Sequence, residues 1–225
     1  MNYTKEHIIS TMEKVGVIPV FNHSDIEISK KVLDASYDAG IRVFEFTNRD
    51  IEALNVFTEL KQYATKYEDL LLGIGTIFSK AQAQQFIDAK TDFIVSPALI
   101  PEVINFCNEI DLLSIPGCAT ITEVYTAHQY GAKLIKAFPG NVLGSDFIKA
   151  VKSVLPQIKI MPTGGVQPTL ENLKLWFDSG VSCVGMGSQL FDKNDIKKQN
   201  FTKLTSDIKQ VIQHIQSIKN QSLWK

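Results

Sequence analysis

The chain has 225 residues, 44% of them hydrophobic, enough to build a large core in either one barrel-sized domain or two small ones. Its 23 Lys+Arg against 24 Asp+Glu leave a formal net charge of -1, so no global field draws it to nucleic acid or to an anionic membrane, and a small soluble partner fits better. No apolar run approaches the length that spans a bilayer, and Met1 to Lys14 is polar and mixed in charge, so a cytoplasmic location is expected.

The first segment, Lys5 to Lys14, reads as an extra helix ahead of the repeating part of the chain. Short apolar, β-rich runs then recur: Val15 to Phe21, Arg42 to Phe46, Leu70 to Thr76, Asp92 to Val95, Leu112 to Ile115, Leu134 to Phe138, Ile158 to Met161 and Ser182 to Met186. Amphipathic segments alternate with them: Glu27 to Ala39, Ile51 to Tyr67, Lys80 to Ala89, Pro101 to Asn108, Ile121 to Tyr130, Ser145 to Val154, Leu170 to Ser179 and Phe201 to Ile218. Gly40, Gly131 and Gly180 stand where glycine closes a helix in the left-handed conformation. Strand-to-strand distances of roughly 20 to 28 residues suit βα units, parallel strands covered by crossover helices.

A closed eight-stranded barrel and an open doubly wound sheet both fit this order. No linker divides the chain and no glycine-rich dinucleotide turn follows the first run. With eight runs, this favours a single domain over residues 1–225, a (β/α)8 TIM barrel whose bottom is capped by the extra N-terminal helix. The tail after Ile218 is mostly polar and is expected to fray.

In such a barrel functional groups project from the C-terminal ends of the strands. After the first run, His23 either looks into the mouth or caps its own loop. In the second run, alternation puts Glu45 and Thr47 on the face opposite Phe44 and Phe46; with the rings against helices, the carboxylate points into the barrel, where it is costly unless paired or functional. Arg49, just beyond, either binds a carboxylate through two parallel hydrogen bonds or lies in solvent. Gly73-Ile74-Gly75-Thr76 offers small residues that let a ligand approach the backbone, and a hydroxyl. Ser96-Pro97-Ala98 and Pro116-Gly117 read as ordinary turn chemistry.

Lys136 is alone among the uncharged residues Leu134 to Pro139, and shares a face with Leu134 and Phe138. A cation placed there loses hydration, which favours the neutral amine that attacks carbonyl carbon; the other reading is a half-exposed strand with its lysine in water. Runs two and six are both even-numbered, so Glu45 and Lys136 share a layer and meet across the mouth, as functional partners or as a structural ion pair. The last two loops, Pro162-Thr163-Gly164-Gly165 and Gly185-Met186-Gly187-Ser188, expose backbone N–H groups, the second where a short helix is expected to open, and together they mark a phosphate site. His7, His23, His128 and His214 show no metal-site spacing, and Cys107, Cys118 and Cys183 read as reduced core residues, so neither metal nor cofactor is indicated.

Taken in order, Glu45-Phe46-Thr47-Asn48-Arg49, Gly73-Ile74-Gly75-Thr76, Val95-Ser96-Pro97, Ile115-Pro116-Gly117, Ile135-Lys136-Ala137-Phe138-Pro139 and Pro162-Thr163-Gly164-Gly165 resemble the KDPG aldolase family. These are class I enzymes that cleave 2-keto-3-deoxy-6-phosphogluconate and, in many members, 4-hydroxy-2-oxoglutarate; the likeness covers approximately Val15 to Phe191. The resemblance implies a cofactor-free (β/α)8 barrel, usually a homotrimer, acting on a phosphorylated keto acid. It implies Lys136 as the Schiff-base lysine and Glu45 as the general acid/base, with Arg49 and Thr76 on the pyruvate carboxylate and Pro97 lining the pyruvate pocket. Gly164, Gly165, Gly187 and Ser188 would bind the phosphate.

Departures fall at Asn48, Ala98 and Gly140-Asn141, where family members commonly carry Leu, Gly and Ala-Glu, and at Phe21-Asn22-His23, where many carry an arginine. They bear on substrate identity and keep 2-keto-3-deoxy-6-phosphogalactonate as an alternative substrate. A phosphosugar isomerase or epimerase on the same barrel, needing an acid/base pair and no imine, is the alternative chemistry.

Overall fold

The computed structural model describes residues 3–222. Helix α1 (Lys5–Val15) starts at Thr4, whose side chain accepts from the His7 amide, and stops at Gly16 in the left-handed region. Val15 therefore belongs to the helix, and the first strand begins two residues later than expected. The strands and helices that follow are β1 (Val17–Phe21), α2 (Ile26–Asp38), β2 (Val43–Thr47), α3 (Ala53–Tyr63), β3 (Leu71–Gly75), α4 (Lys80–Asp88), β4 (Phe93–Val95), α5 (Pro101–Glu109), β5 (Leu113–Ile115) and β6 (Gly117–Cys118). After these come α6 (Ile121–Gln129), β7 (Leu134–Ala137), α7 (Gly140–Val154), β8 (Lys159–Pro162), α8 (Leu170–Asp178), β9 (Val184–Met186), α9 (Lys193–Lys197) and α10 (Phe201–Ser222). Gly40, Gly131 and Gly180 close their helices with φ of 109°, 86° and 97°, as the sequence predicted.

The strands are parallel and form a six-stranded sheet, β5-β4-β3-β2-β1-β9, and a three-stranded sheet, β6-β7-β8. The expected fifth strand, Leu112 to Ile115, is observed as β5, and beyond Pro116, which has no N–H for a ladder, a ninth strand not expected from the sequence follows as β6; β5 pairs with β4, and β6 with β7. Pro116-Gly117 is thus an in-line strand break rather than a turn, and the Pro116 carbonyl still accepts from the Lys136 amide at 2.8 Å. On the other seam a bridge joins Thr163 to Gly185, and the Ser182 amide donates to the Ile160 carbonyl at 2.9 Å.

Alternation divides the strand residues as the sequence predicted. Val43, Leu71, Leu134 and Met161 face one cluster, together with Ile8, Ile9 and Met12 from α1, while Phe44, Phe46, Ile135 and Ala137 pack against the surrounding helices in another. Helix α1 thus plugs the end of the structure where the strands begin. Three expectations shift. The helix after β7 begins at Gly140, but non-helical Gly144 (φ 70°, ψ 174°) separates its first turn from the expected Ser145 start. Gly187-Ser188 makes a turn, with the Leu190 amide on the Gly187 carbonyl, and helix α9 waits until Lys193, capped by Asp192. Helix α10 runs on past Ile218, because Ile215 and Ile218 are buried and Lys219 Nζ donates to the Glu13 carbonyl; residues 223–225 lie outside the described residues.

No helix among the described residues is long and apolar enough to cross a membrane. All three cysteines are buried and unpaired, and burial pushes each thiol up to about 12.

Candidate active site

The inward position on β2 and its counterpart on β7 bring Glu45 and Lys136 together: Nζ lies 3.4 Å from Glu45 Oε1, across 91 residues of chain. Both are buried, Glu45 fully and Lys136 to 4% exposure. That separation is longer than a well-formed N–H···O bond, and no donor among the described residues reaches Glu45 Oε2. A purely structural buried ion pair repays its desolvation only when its remaining hydrogen-bonding capacity is satisfied; here one carboxylate oxygen is left without a donor. Lys136 Nζ also sits 5.3 Å from the centre of the Phe138 ring.

Space for the carboxylate comes from Gly75. A Cβ built there would stand 1.9 Å from Glu45 Oε1, so only glycine lets the side chain lie across β3. The neighbouring Gly73 is covered by the Phe93 ring. The small residues of β3 thus make room for the protein's own side chains, a correction to their reading as an approach for ligand. Thr76 follows, half-buried and left-handed at φ 66°.

Pro97 reaches this layer through Gly117, the pairing partner of Lys136: a Cβ on Gly117 would meet the Pro97 carbonyl at 2.3 Å. Ala98 is exposed beside it. Arg49 is exposed at the rim, and no ion pair holds its guanidinium among the described residues. His23 caps its loop, its Nδ1 accepting from the Asp25 amide at 3.0 Å, and stacks on Phe21. No group of three or more His, Cys, Asp or Glu among the described residues is placed to hold a metal.

The two glycine loops lie side by side. Gly164 and Gly165 have φ of 93° and 75°, and the Thr163–Gly185 bridge ties their loop to the one carrying Gly187 and Ser188. The chain after Lys136 joins them, since the Gly140 amide donates to the Thr163 carbonyl at 2.8 Å and Asn141 packs against Gly165. From the sequence, Thr163 is named only within its glycine loop, with no role of its own. Its hydroxyl is buried with no hydrogen-bond partner among the described residues, and it shares the inward parity of Met161, a signal that extending the alternation by two residues would have caught.

Two surface cavities, about 690 and 670 Å³, lie at the α1 end, lined respectively around Ile9, His128 and Lys159 and around Tyr3, Lys61 and Asp92; neither includes Lys136 or Glu45. The chemistry is better placed by the buried, incompletely bonded pair than by cavity size, because the C-terminal strand ends are where this kind of fold carries its sites.

Fold and site together define an α/β enzyme with a buried amine and carboxylate facing each other from two parallel sheets. The model of the KDPG and KHG aldolase family matches residues 8–207, and the chain belongs to that family. It is 30% identical over 207 residues to the 2-dehydro-3-deoxy-phosphogluconate aldolase of Treponema pallidum, covering 92% of this chain and 96% of that one. It is 39% identical over 122 residues to the 2-dehydro-3-deoxy-6-phosphogalactonate aldolase of Escherichia coli K12, covering 54% and 58%. Among solved structures it is similar to the KDPG aldolase of Legionella pneumophila, at 27% identity and a TM-score of 0.82 over 91% of this chain and 97% of that one; there pyruvate was captured at low pH as a covalent carbinolamine. The relatives are aldolases, which are lyases, and this protein is an enzyme of that class.

Proposed function

We propose that the protein is a class I aldolase that cleaves 2-keto-3-deoxy-6-phosphogluconate to pyruvate and glyceraldehyde 3-phosphate, with its two sheets acting as one (β/α)8 barrel. The observation that carries this reading is the buried Lys136 amine 3.4 Å from a buried carboxylate whose second oxygen has no donor among the described residues. Neutral Lys136 adds to the 2-keto carbon, giving a carbinolamine that loses water to a protonated imine. Glu45 carries the protons, first in that dehydration and then by taking the C4 hydroxyl proton. The C3–C4 bond breaks, its electron pair moves into the imine to form an enamine, and the aldehyde departs. Protonation of the enamine at C3 and hydrolysis of the imine release pyruvate and restore the amine.

Arg49 and Thr76 hold the pyruvate carboxylate, Pro97 lines the pyruvate pocket, and Gly164, Gly165, Gly187 and Ser188 take the phosphate. The orphan Thr163 hydroxyl, between the lysine strand and the glycine loops, suits a substrate hydroxyl. The higher local identity to a phosphogalactonate aldolase favours the C4 epimer as a second reading. Cleavage of 4-hydroxy-2-oxoglutarate, without a phosphate to hold, is a further candidate activity.

Borohydride reduction in the presence of pyruvate, read by mass spectrometry, tests the chemistry. The wild type should gain one reduced pyruvate adduct at Lys136 and Lys136→Arg none. Glu45→Gln should slow turnover by roughly 10²-fold or more. Full activity with Lys136 left unmodified, as an isomerase would show, overturns the mechanism. Pyruvate release measured on the two phosphorylated epimers and on 4-hydroxy-2-oxoglutarate ranks the substrates.

A further inference from the structure

The β1–β2 ladder ends at the pair Phe21–Phe46, yet the contact between the two chain segments does not. One residue further along, Asn22 Nδ2 donates to the Thr47 carbonyl at 2.8 Å, and Thr47 Oγ1 donates back to the Phe21 carbonyl at 3.3 Å. Two side chains thereby continue the pairing after backbone bonds stop. The Thr47 carbonyl accepts a second hydrogen bond, from the Arg49 amide at 3.0 Å, closing a three-residue turn, while the Asn48 amide donates to Gly75 at 2.9 Å. Both acceptor positions of the Thr47 oxygen are therefore in use, one by the turn that launches Arg49 and one by Asn22.

Arg49 itself is exposed, with no ion pair among the described residues, so its direction comes from the backbone that carries it. We propose that Asn22 is a positioning residue for substrate binding: its amide locks the Thr47 carbonyl and so holds the turn from which Arg49 reaches the substrate carboxylate. This rests on the role given to Arg49 above. Asn22 makes no hydrogen bond to the Lys136 amine among the described residues; it acts by narrowing the range of a flexible cation, which improves binding more than chemistry.

The test is the pyruvate concentration that gives half-maximal borohydride trapping, together with the limiting trapping rate, in Asn22→Asp, Asn22→Gln, Arg49→Ala and the Asn22→Asp/Arg49→Ala double variant. Asn22→Asp keeps the shape of the side chain but offers no donor. It should raise the half-saturating concentration about 2- to 13-fold, the worth of one hydrogen bond, and leave the limiting rate within about twofold. Asn22→Gln, which keeps an amide, should lie nearer wild type, and the double variant should bind no worse than Arg49→Ala alone, because the two act through one path. If Asn22→Asp fails to fold, Asn22→Ala takes its place in the same cycle.

Unchanged half-saturation in Asn22→Asp, alongside a weakened Arg49→Ala, overturns the inference. Additive effects in the double variant also overturn it, since Asn22 would then act independently of Arg49. A wild type that cannot be trapped contradicts the aldolase reading itself, and an Arg49→Ala that binds pyruvate normally removes the role on which Asn22 depends.

Discussion

Thr76 closes β3 with φ 66°, a left-handed backbone that a β-branched side chain resists at a cost of about 1–3 kcal/mol. Such strain persists only where the surroundings impose it, and Thr76 directly follows Gly75, over which the Glu45 carboxylate lies. Thr76→Gly should remove the strain and the hydroxyl together: the melting temperature should hold or rise, while the pyruvate concentration for half-maximal trapping increases. A lower melting temperature with unchanged binding would mean that Thr76 is structural. The alternation along two strands was enough to predict that Glu45 and Lys136 share a face. It was silent on Gly75, whose missing side chain makes room for the carboxylate, because that contact crosses between strands and depends on register.

At the scale of elements, α2 and α3 are clasped by a polar cluster. Asp34 accepts from Tyr63 at 2.7 Å and Tyr67 at 2.8 Å and pairs with Lys66 at 3.0 Å, which itself donates to Tyr63. Burial alone would raise the Asp34 carboxyl, but the bonds from Tyr63, Lys66 and Tyr67 outweigh it and hold the group below the usual carboxylate range. A value depressed in the folded state stabilises the fold above the unfolded value of about 3.9, and that stabilisation disappears as pH falls through the folded value. Asp34→Asn should therefore melt about 3 °C lower than wild type at pH 7, and the gap should close below about pH 4. A gap independent of pH would show that packing, not charge, is lost. None of this cluster was visible in the chain, since Asp34, Tyr63 and Tyr67 read as scattered positions on two helices. The helix ends at Gly40, Gly131 and Gly180 were legible, because left-handed closure is a local property of glycine.

For the whole molecule, α1 decides how one end is sealed. Met12 is fully buried among inward strand residues such as Val43, Leu71 and Met161, on the side away from Lys136. Met12→Ala should lower unfolding free energy by about 2–5 kcal/mol in a urea titration and leave kcat/KM within about twofold where the fold is intact. A large loss of activity in folded protein would show that the plug communicates with the site.

The amino-acid sequence by itself determined the alternation of strands and helices, the face on which Glu45 and Lys136 lie in their strands, and the residue types from which the site is built, since alternation and helix closure depend only on neighbours along the chain. Tertiary structure alone decided that an amine and a carboxylate 91 residues apart stand 3.4 Å from each other, that the chain on either side of Pro116 pairs in two different sheets, and that the Thr163 hydroxyl has no hydrogen-bond partner among the described residues. Those outcomes depend on how strand register and side-chain volume add up across the whole sheet, and no local window of the chain contains that sum.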